Sequence, residues 1–215
     1  MIFAAGWTMG SGVSRMPDFD ALLEIGDKNH DSQLARDEAP AGPAQQHFAY
    51  IDADKDGFIT REEWDSLAEI FSKSENALLA IRPGGTGDVT ASRVAWKQTR
   101  GLPYVPSPLF YRDRIYLVKN GGLASCFNAT NGAALYQEER LGALGDYYSS
   151  PVAAGGKICV ASQGGVAVVF AAGDSLRVLA RNDLGESIMA TPALAAGKLY
   201  LRTAARVWAF GEAAP

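Results

Sequence analysis

The sequence predicts a mainly β fold, a partial β-propeller of about three and a half four-stranded antiparallel blades with an inserted α-helical pair. Three observations carry this. Segments beginning Ser107-Pro108-Leu109, Ser150-Pro151-Val152 and Thr191-Pro192-Ala193 recur at intervals of 43 and 41 residues. Helical stripes of apolar residues are confined to residues 17–74, and short apolar runs broken by glycine and proline take over from Asn76. Two acidic twelve-residue loops lie inside the helical stretch, and they begin 25 residues apart.

In chain order, Ile2 to Trp7 reads as the first strand, so that residues 1–7 belong to the propeller. Asp18 stands where an N-cap would, ahead of Phe19, Leu22 and Leu23 on one helical face. Asp27 to Glu38 reads Asp-Lys-Asn-His-Asp-Ser-Gln-Leu-Ala-Arg-Asp-Glu. The linker Ala39-Pro40-Ala41-Gly42-Pro43 leaves little exiting helix, and Pro43 is placed to start the next one, with Phe48 and Ile51 inward. Asp52 to Glu63 reads Asp-Ala-Asp-Lys-Asp-Gly-Phe-Ile-Thr-Arg-Glu-Glu. Trp64, Leu67, Ala68, Ile70 and Phe71 then recur at helical spacing and read as the core of a compact lobe over 17–74. Ala77 to Ile81 and Val94 to Lys97 read as the next two strands, which puts the lobe between two strands of one blade.

Both loops carry oxygen ligands at the offsets of an EF-hand calcium loop. In the second, Asp52, Asp54 and Asp56 would supply carboxylates and Phe58 its carbonyl. Thr60 would act directly or through water, and Glu63 would close the shell as a bidentate ligand. Gly57 permits the sharp turn. In the first, Asp27, Asn29, Asp31, the Gln33 carbonyl, a water at Ala35, and Glu38 fall at the same offsets. Ser32 replaces the glycine, so this loop is expected to be strained and the 52–63 loop to be the stronger of two Ca²⁺ sites. Leu34 and Ile59 occupy matching positions and would pair the loops. A chance acidic surface loop would not reproduce the ligand offsets twice.

Net charge is −4, unevenly spread: residues 1–75 hold 15 acids and 6 bases, residues 76–215 hold 9 acids and 14 bases. The loops account for the acidic part. The bases beyond are scattered, so nucleic-acid binding has no support. No apolar run reaches membrane-spanning length. The opening Met-Ile-Phe-Ala-Ala-Gly-Trp has neither a basic leader nor a long apolar core, so it does not read as a signal peptide. Cys126 and Cys159 lie in strand-like segments, which favours buried free thiols over a disulfide.

Within the repeat, Ile115-Tyr116-Leu117, Ile158-Cys159-Val160 and Leu199-Tyr200-Leu201 align, as do Leu123, Val166 and Val207. Gly121-Gly122 and Gly164-Gly165 recur at one offset and read as blade turns, not phosphate loops. A period of roughly 40–45 residues with about four strands is the propeller pattern. The segment Ser107 to Gln137 then resembles a blade of the PQQ-like (quinoprotein-like) β-propellers. Its turn is Asn128-Ala129-Thr130-Asn131-Gly132, Tyr136 stands at the family's Trp position, and Trp96 looks like the docking Trp of the preceding blade. The resemblance covers residues 76–215 and extends to the first strand. Propellers of this family form larger rings, so the chain reads as a C-terminal portion of a longer protein whose remaining blades lie outside it.

The resemblance implies a bacterial protein working in the periplasm or outside the cell. Two functions are weighed. One is a calcium-binding, non-catalytic binding or scaffold module, with Ca²⁺ stabilising the lobe and a protein or glycan ligand on the propeller surface, where Tyr104, Tyr147 and Tyr148 would line a rim or else pack in the core. The other is a fragment of a PQQ-dependent dehydrogenase oxidising an alcohol or sugar. Enzymes of that group resemble one another in an axial quinone, a nearby Trp and an aspartate base, and several in a disulfide between adjacent cysteines. This chain has no adjacent cysteines, and Asp146 sits in a loop without such a motif, so PQQ is not expected in it. The residues favour the non-catalytic reading. Both histidines, His30 at a non-ligand loop position and His47 on a helix, lie in the lobe, so neither a zinc site nor a Ser-His-Asp arrangement is expected in the blades.

Overall fold

The computed structural model describes residues 1–6, 16–73 and 75–211, and its backbone falls into two compact units. One joins Met1–Trp7 to Asn76–Pro215, and the other is Thr8–Glu75. Trp7, expected to close the first strand, and Ser74, expected to close the lobe, lie outside the described residues.

The chain starts with β1 (Ile2–Gly6). The helical unit follows with α1 (Phe19–Gly26), β2 (Leu34–Ala35), α2 (Pro43–Gln46), α3 (Phe48–Ile51), β3 (Phe58–Ile59) and α4 (Arg61–Lys73). Next come β4 (Ala77–Ile81), the short α5 (Thr90–Arg93) and β5 (Val94–Gln98). Two four-stranded meanders succeed them. The first is β6 (Leu109–Tyr111), β7 (Arg114–Lys119), β8 (Leu123–Asn128) and β9 (Ala134–Arg140). The second is β10 (Val152–Ala154), β11 (Lys157–Ala161), β12 (Val166–Ala171) and β13 (Val178–Asp183). The last sheet is β14 (Ala193–Ala195), β15 (Lys198–Arg202) and β16 (Val207–Phe210).

The β unit is a run of antiparallel sheets in the orders β1-β4-β5, β6-β7-β8-β9, β10-β11-β12-β13 and β14-β15-β16. Among the described residues two blades thus have four strands and two have three, as the repeat anticipates. Ile2 pairs with Ile81 and Gly6 with Ala77, so the first sheet forms across the sequence gap that holds the helical unit. Register identifies equivalent residues. Trp96 lies opposite Ala80, Tyr136 opposite Cys126, and Ala180 opposite Val169. Trp96 does dock on the next blade: its indole N–H donates to the Ala129 carbonyl at 3.0 Å. A Cβ on Gly132 would stand 2.7 Å from the Trp96 ring, so the turn accepts the indole only as glycine. Tyr136 is buried with Tyr116, Ile158, Val168 and Phe170 in the largest core cluster. Smaller clusters centre on Leu78, Ile115 and Phe127, and on Ala161, Ile188 and Leu201.

The two blade turns repeat in detail. A Cβ on Gly122 would meet the Ala143 carbonyl oxygen at 2.2 Å, and one on Gly165 the Glu186 carbonyl oxygen at 2.5 Å. One turn does not repeat. Asn128 N–H reaches the Ala133 carbonyl, whereas Ala171 N–H reaches the Arg177 carbonyl, so the turn before β13 is one residue longer than the turn before β9. Both cysteines are buried free thiols; burial pushes Cys126 up to about 12 and Cys159 up to about 11. Tyr147 is a core residue and not part of a rim: it is fully buried and its hydroxyl donates to the Ala143 carbonyl at 2.8 Å. Tyr104 is exposed and Tyr148 half-buried.

The helical unit has its own core of Phe19, Leu22, Leu34, Phe48, Ile59 and Trp64, with Met16, Leu23 and Leu67 packed against it. The Trp64 indole N–H donates to the Pro17 carbonyl at 2.9 Å, and Arg61 pairs with Asp20 while covering the Phe19 ring. Three expectations change here. Asp18 occupies the N-cap of α1, but its side chain makes no capping hydrogen bond. The helix from Pro43 is broken at His47 (φ −109°, ψ 16°) into α2 and α3, so His47 sits at a junction. Ile70 is 61% exposed. It lies six positions, and so about 240° around the helix, from Trp64, off the face shared by Trp64, Leu67 and Phe71. The helix α5 has no apolar face and was not foreseen.

Glu186 ties the loop after β13 to the last sheet. Its Oε2 accepts from the Thr203 hydroxyl at 2.5 Å and from the Ala205 N–H at 3.1 Å, and Arg206 pairs with Oε1. These donors, Thr203 foremost, hold its pKa below the ordinary 4.5. A carboxylate with a depressed folded pKa stabilises the fold above its unfolded pKa and loses that contribution as pH falls through the folded value. Melting temperature is therefore expected to drop below about pH 4.5 more steeply in the native sequence than in Glu186→Gln, as followed by circular dichroism.

Candidate metal centre

Two loops turn back on themselves between α1 and α2 and between α3 and α4. The local reason is a ladder of side-chain-to-backbone hydrogen bonds typical of closely spaced Asp and Asn. In the first loop, the Asp27 carboxylate accepts from the N–H groups of His30 (2.7 Å) and Ser32 (3.0 Å). Asn29 accepts from Asp31 N–H, and Asp31 from Gln33 N–H, both at 2.9 Å. In the second, Asp52 accepts from Gly57 (3.2 Å), Asp54 from Asp56 (3.1 Å) and Asp56 from Phe58 (2.9 Å). Leu34 pairs with Ile59 and Ala35 with Phe58, so the loops join through the two-residue strands β2 and β3. Both Leu34 and Ile59 are fully buried.

Each loop is closed by its glutamate. Glu38 accepts from Lys28 N–H at 3.2 Å through Oε1 and from Ala35 N–H at 3.1 Å through Oε2. Glu63 accepts from Ala53 N–H at 2.8 Å through Oε1 and from Thr60 N–H and hydroxyl, each at 2.9 Å, through Oε2. Burial opposes ionisation of Glu63. The Thr60 donors, with the N–H groups of Ala53 and Asp54, outweigh it and hold the pKa below its ordinary value.

Asp27, Asp31 and Glu38 bring carboxylate oxygens within 4.8 Å of one another, and so do Asp52, Asp54 and Glu63. Each trio could hold a metal ion. Like charges gathered so closely repel unless a cation lies among them. Asp52 is nearly buried, and its Oδ1 has no hydrogen-bond partner, while Oδ2 is taken by Gly57. A buried oxygen left unpaired costs free energy, so the donor set fits an oxygen-seeking cation. Of the other expected ligands, Asp56 stands outside its trio and holds Phe58 N–H, Asn29 is bonded to Asp31, and the Thr60 hydroxyl is turned onto Glu63. Gln33 and Phe58, expected to offer carbonyls, sit at the loop bends just before and in the β2–β3 pair.

One residue at the site escapes a motif-based reading. Gly26, the last residue of α1, lies where a Cβ would be 2.3 Å from the Glu38 carbonyl oxygen. A glycine ending a helix beside the loop was the available signal. Backbone angles distinguish the two loops. Gly57 has φ 94°, whereas Ser32 at the matching position is held at φ 66°. A left-handed non-glycine residue costs about 1–2 kcal/mol, part of which glycine returns as extra freedom in the unfolded chain.

The antiparallel four-stranded sheets, repeating with docked aromatic residues, make the β unit a set of propeller blades. The chain belongs to the PQQ-like repeat family described as outer membrane protein assembly factor BamB, whose model matches residues 73–213. Among solved structures, BamB from Moraxella catarrhalis is similar at 18% identity over 62% of this chain and 36% of its own length, with a TM-score of 0.47. The computationally designed Ika4 protein matches over 64% of this chain and 86% of its own, at 13% identity and a TM-score of 0.47. A europium-containing methanol dehydrogenase matches over 49% and 21%, at 12% identity and a TM-score of 0.37. The chain thus spans about a third of the Moraxella protein. No curated protein matches its sequence. No helix among the described residues is long and apolar enough to cross a membrane.

Replacing Ser32 by glycine is expected to raise the stability of the helical unit by about 0.5–1 kcal/mol, read from urea melts in the presence of chelator. Gly57→Ala should lower it by a similar or larger amount. An unchanged midpoint in both variants would remove backbone strain as the difference between the loops.

Proposed function

We propose that the chain is a calcium-stabilised, non-catalytic binding or scaffold segment of a PQQ-like propeller protein that works outside the cytoplasm. In this reading residues 17–74 form an EF-hand pair inserted in the blade that begins with residues 1–7 and continues in 76–215. Blades outside this chain complete the ring. Ca²⁺ is the ion, because the donors are all oxygens and each loop ends in a glutamate able to bind through both oxygens. Asp27, Asn29, Asp31, Gln33 and Glu38 serve one ion; Asp52, Asp54, Asp56, Phe58, Thr60 and Glu63 serve the other, tighter one.

The observation that carries this reading is the second loop: its carboxylates converge within 4.8 Å and its buried Asp52 Oδ1 lacks a partner. A role in holding other proteins draws support from the family's description as an assembly factor. Calcium would then act as a structural fastener, saturating at the millimolar levels common outside cells.

Melting the full chain with excess Ca²⁺ and with chelator tests the proposal. Calcium at a hundredfold above its dissociation constant should add about 2.7 kcal/mol to the stability of the unit that binds it. The double variant Asp52→Ala/Glu63→Ala should lose most of that gain, and calorimetry should count two ions in the native chain. No uptake by calorimetry and no thermal shift would defeat the calcium reading.

A further inference from the structure

The two complete blades place equivalent residues on their facing surfaces, and here they differ. In the first, Tyr111 pairs across the hairpin with Arg114, and a row runs Leu109–Tyr116–Cys126–Tyr136 across its four strands. In the second, Ala154 pairs with Lys157, and the row runs Val152–Cys159–Val169–Ala180. Three tyrosines are replaced by alanine, cysteine and alanine.

Between the first and second complete blades those rings fill the interface. Tyr116 meets Phe170 edge-on at 6.4 Å, Tyr136 is buried against the same cluster, and the Tyr111 hydroxyl accepts from Gly156 N–H at 2.9 Å. Between the second blade and the last sheet, the corresponding place is a cleft of about 260 Å³. Its wall on the second blade is Val152, Ala154, Cys159 and Val169, the positions of Leu109, Tyr111, Tyr116 and Cys126. Its opposite wall is Leu194 and Leu199, the counterparts of Ala153 and Ile158. The cleft therefore lies where the rings of Tyr111 and Tyr116 stand in the preceding blade, at an interface that there holds planar side chains.

Its mouth is basic. Lys157 lines the cleft, and Lys198 joins it around the wider opening beyond, which shares Ala154, Leu194 and Leu199. Among the described residues neither lysine takes part in an ion pair. An apolar cleft of this volume with two ammonium groups at its rim is complementary to a small hydrophobic acid with a flat ring. We propose that this cleft is a binding site for a small planar aromatic carboxylate, the ring lying between Cys159 and Leu199 and the carboxylate at Lys157 and Lys198.

The test uses the full chain, with indole-3-propionate as the acid and 3-methylindole as its neutral counterpart, followed by calorimetry and by nuclear magnetic resonance shifts of the cleft residues. The acid should bind with one-to-one stoichiometry. Lys157→Met should weaken the acid by about tenfold and leave the neutral ring nearly unchanged. Cys159→Tyr, which restores the residue of the preceding blade, should fill the slot, abolish binding of both probes and raise the melting temperature. Ala154→Tyr serves as a second filling variant should the first fail to fold. Absence of binding by the native chain, or binding that survives a folded filling variant, overturns the proposal.

Discussion

A sheet buried on both faces needs a neighbour on each side, and face-to-face packing of successive blades is the constraint on which the β unit rests. Alternation along each strand sends Tyr116 one way and Ile115 and Leu117 the other, and all three are buried. The two faces belong to different clusters: Tyr116 joins Ile158 and Phe170, while Ile115 and Leu117 join Leu78 and Phe127. No single core holds the unit. Each interface is its own small core, so packing errors stay local and do not propagate along the array. Of the large apolar side chains left exposed on the last sheet, Leu194 and Phe210 border the opening toward the second blade.

The helical unit follows a different logic. Its core is only a handful of residues, and much of its order comes from short Asp and Asn side chains bonding the N–H groups of their own loops. Such a ladder shapes the loops, but it commits carboxylate oxygens to backbone donors and leaves like charges close together. The geometry is pre-arranged and brings like charges together at once, so a cation seated among these carboxylates would relieve their repulsion while keeping the shape.

Much of this was legible in the residues. The loop offsets located both carboxylate trios, and the matching positions of Leu34 and Ile59 foretold the bridge between the loops, because period and spacing are local properties of the chain. The recurring Ser-Pro and Gly-Gly segments located the blades, and the docking role of Trp96 showed in its place in the repeat. What escaped depended on tertiary neighbours. Ile70 shares the apolar character of Trp64 and Leu67 but not their angle on the helix. Tyr147 looks like a loop aromatic until Ala143 is seen to accept its hydroxyl proton. Gly26 matters only because Glu38, twelve residues away, folds back onto it. The break at His47 has no glycine or proline to announce it.

The longer turn before β13 changes which of its side chains meets the neighbouring strand. Alternation makes a strand sensitive to insertions: shifted by one position, an inward side chain is exchanged for its neighbour, and here the exchange is local, because Val166 pairs with Asp183 just as Leu123 pairs with Arg140 in the preceding blade. With the shorter turn of the preceding blade, Leu179 would lie opposite Val169; with the extra residue, Ala180 takes that place and Leu179 is left 40% exposed. A single codon in the turn at residues 172–176 thus exchanges a branched side chain for a methyl group at the blade interface. Loop-length variation, usually neutral at a protein surface, here selects which side chain of β13 stands opposite Val169.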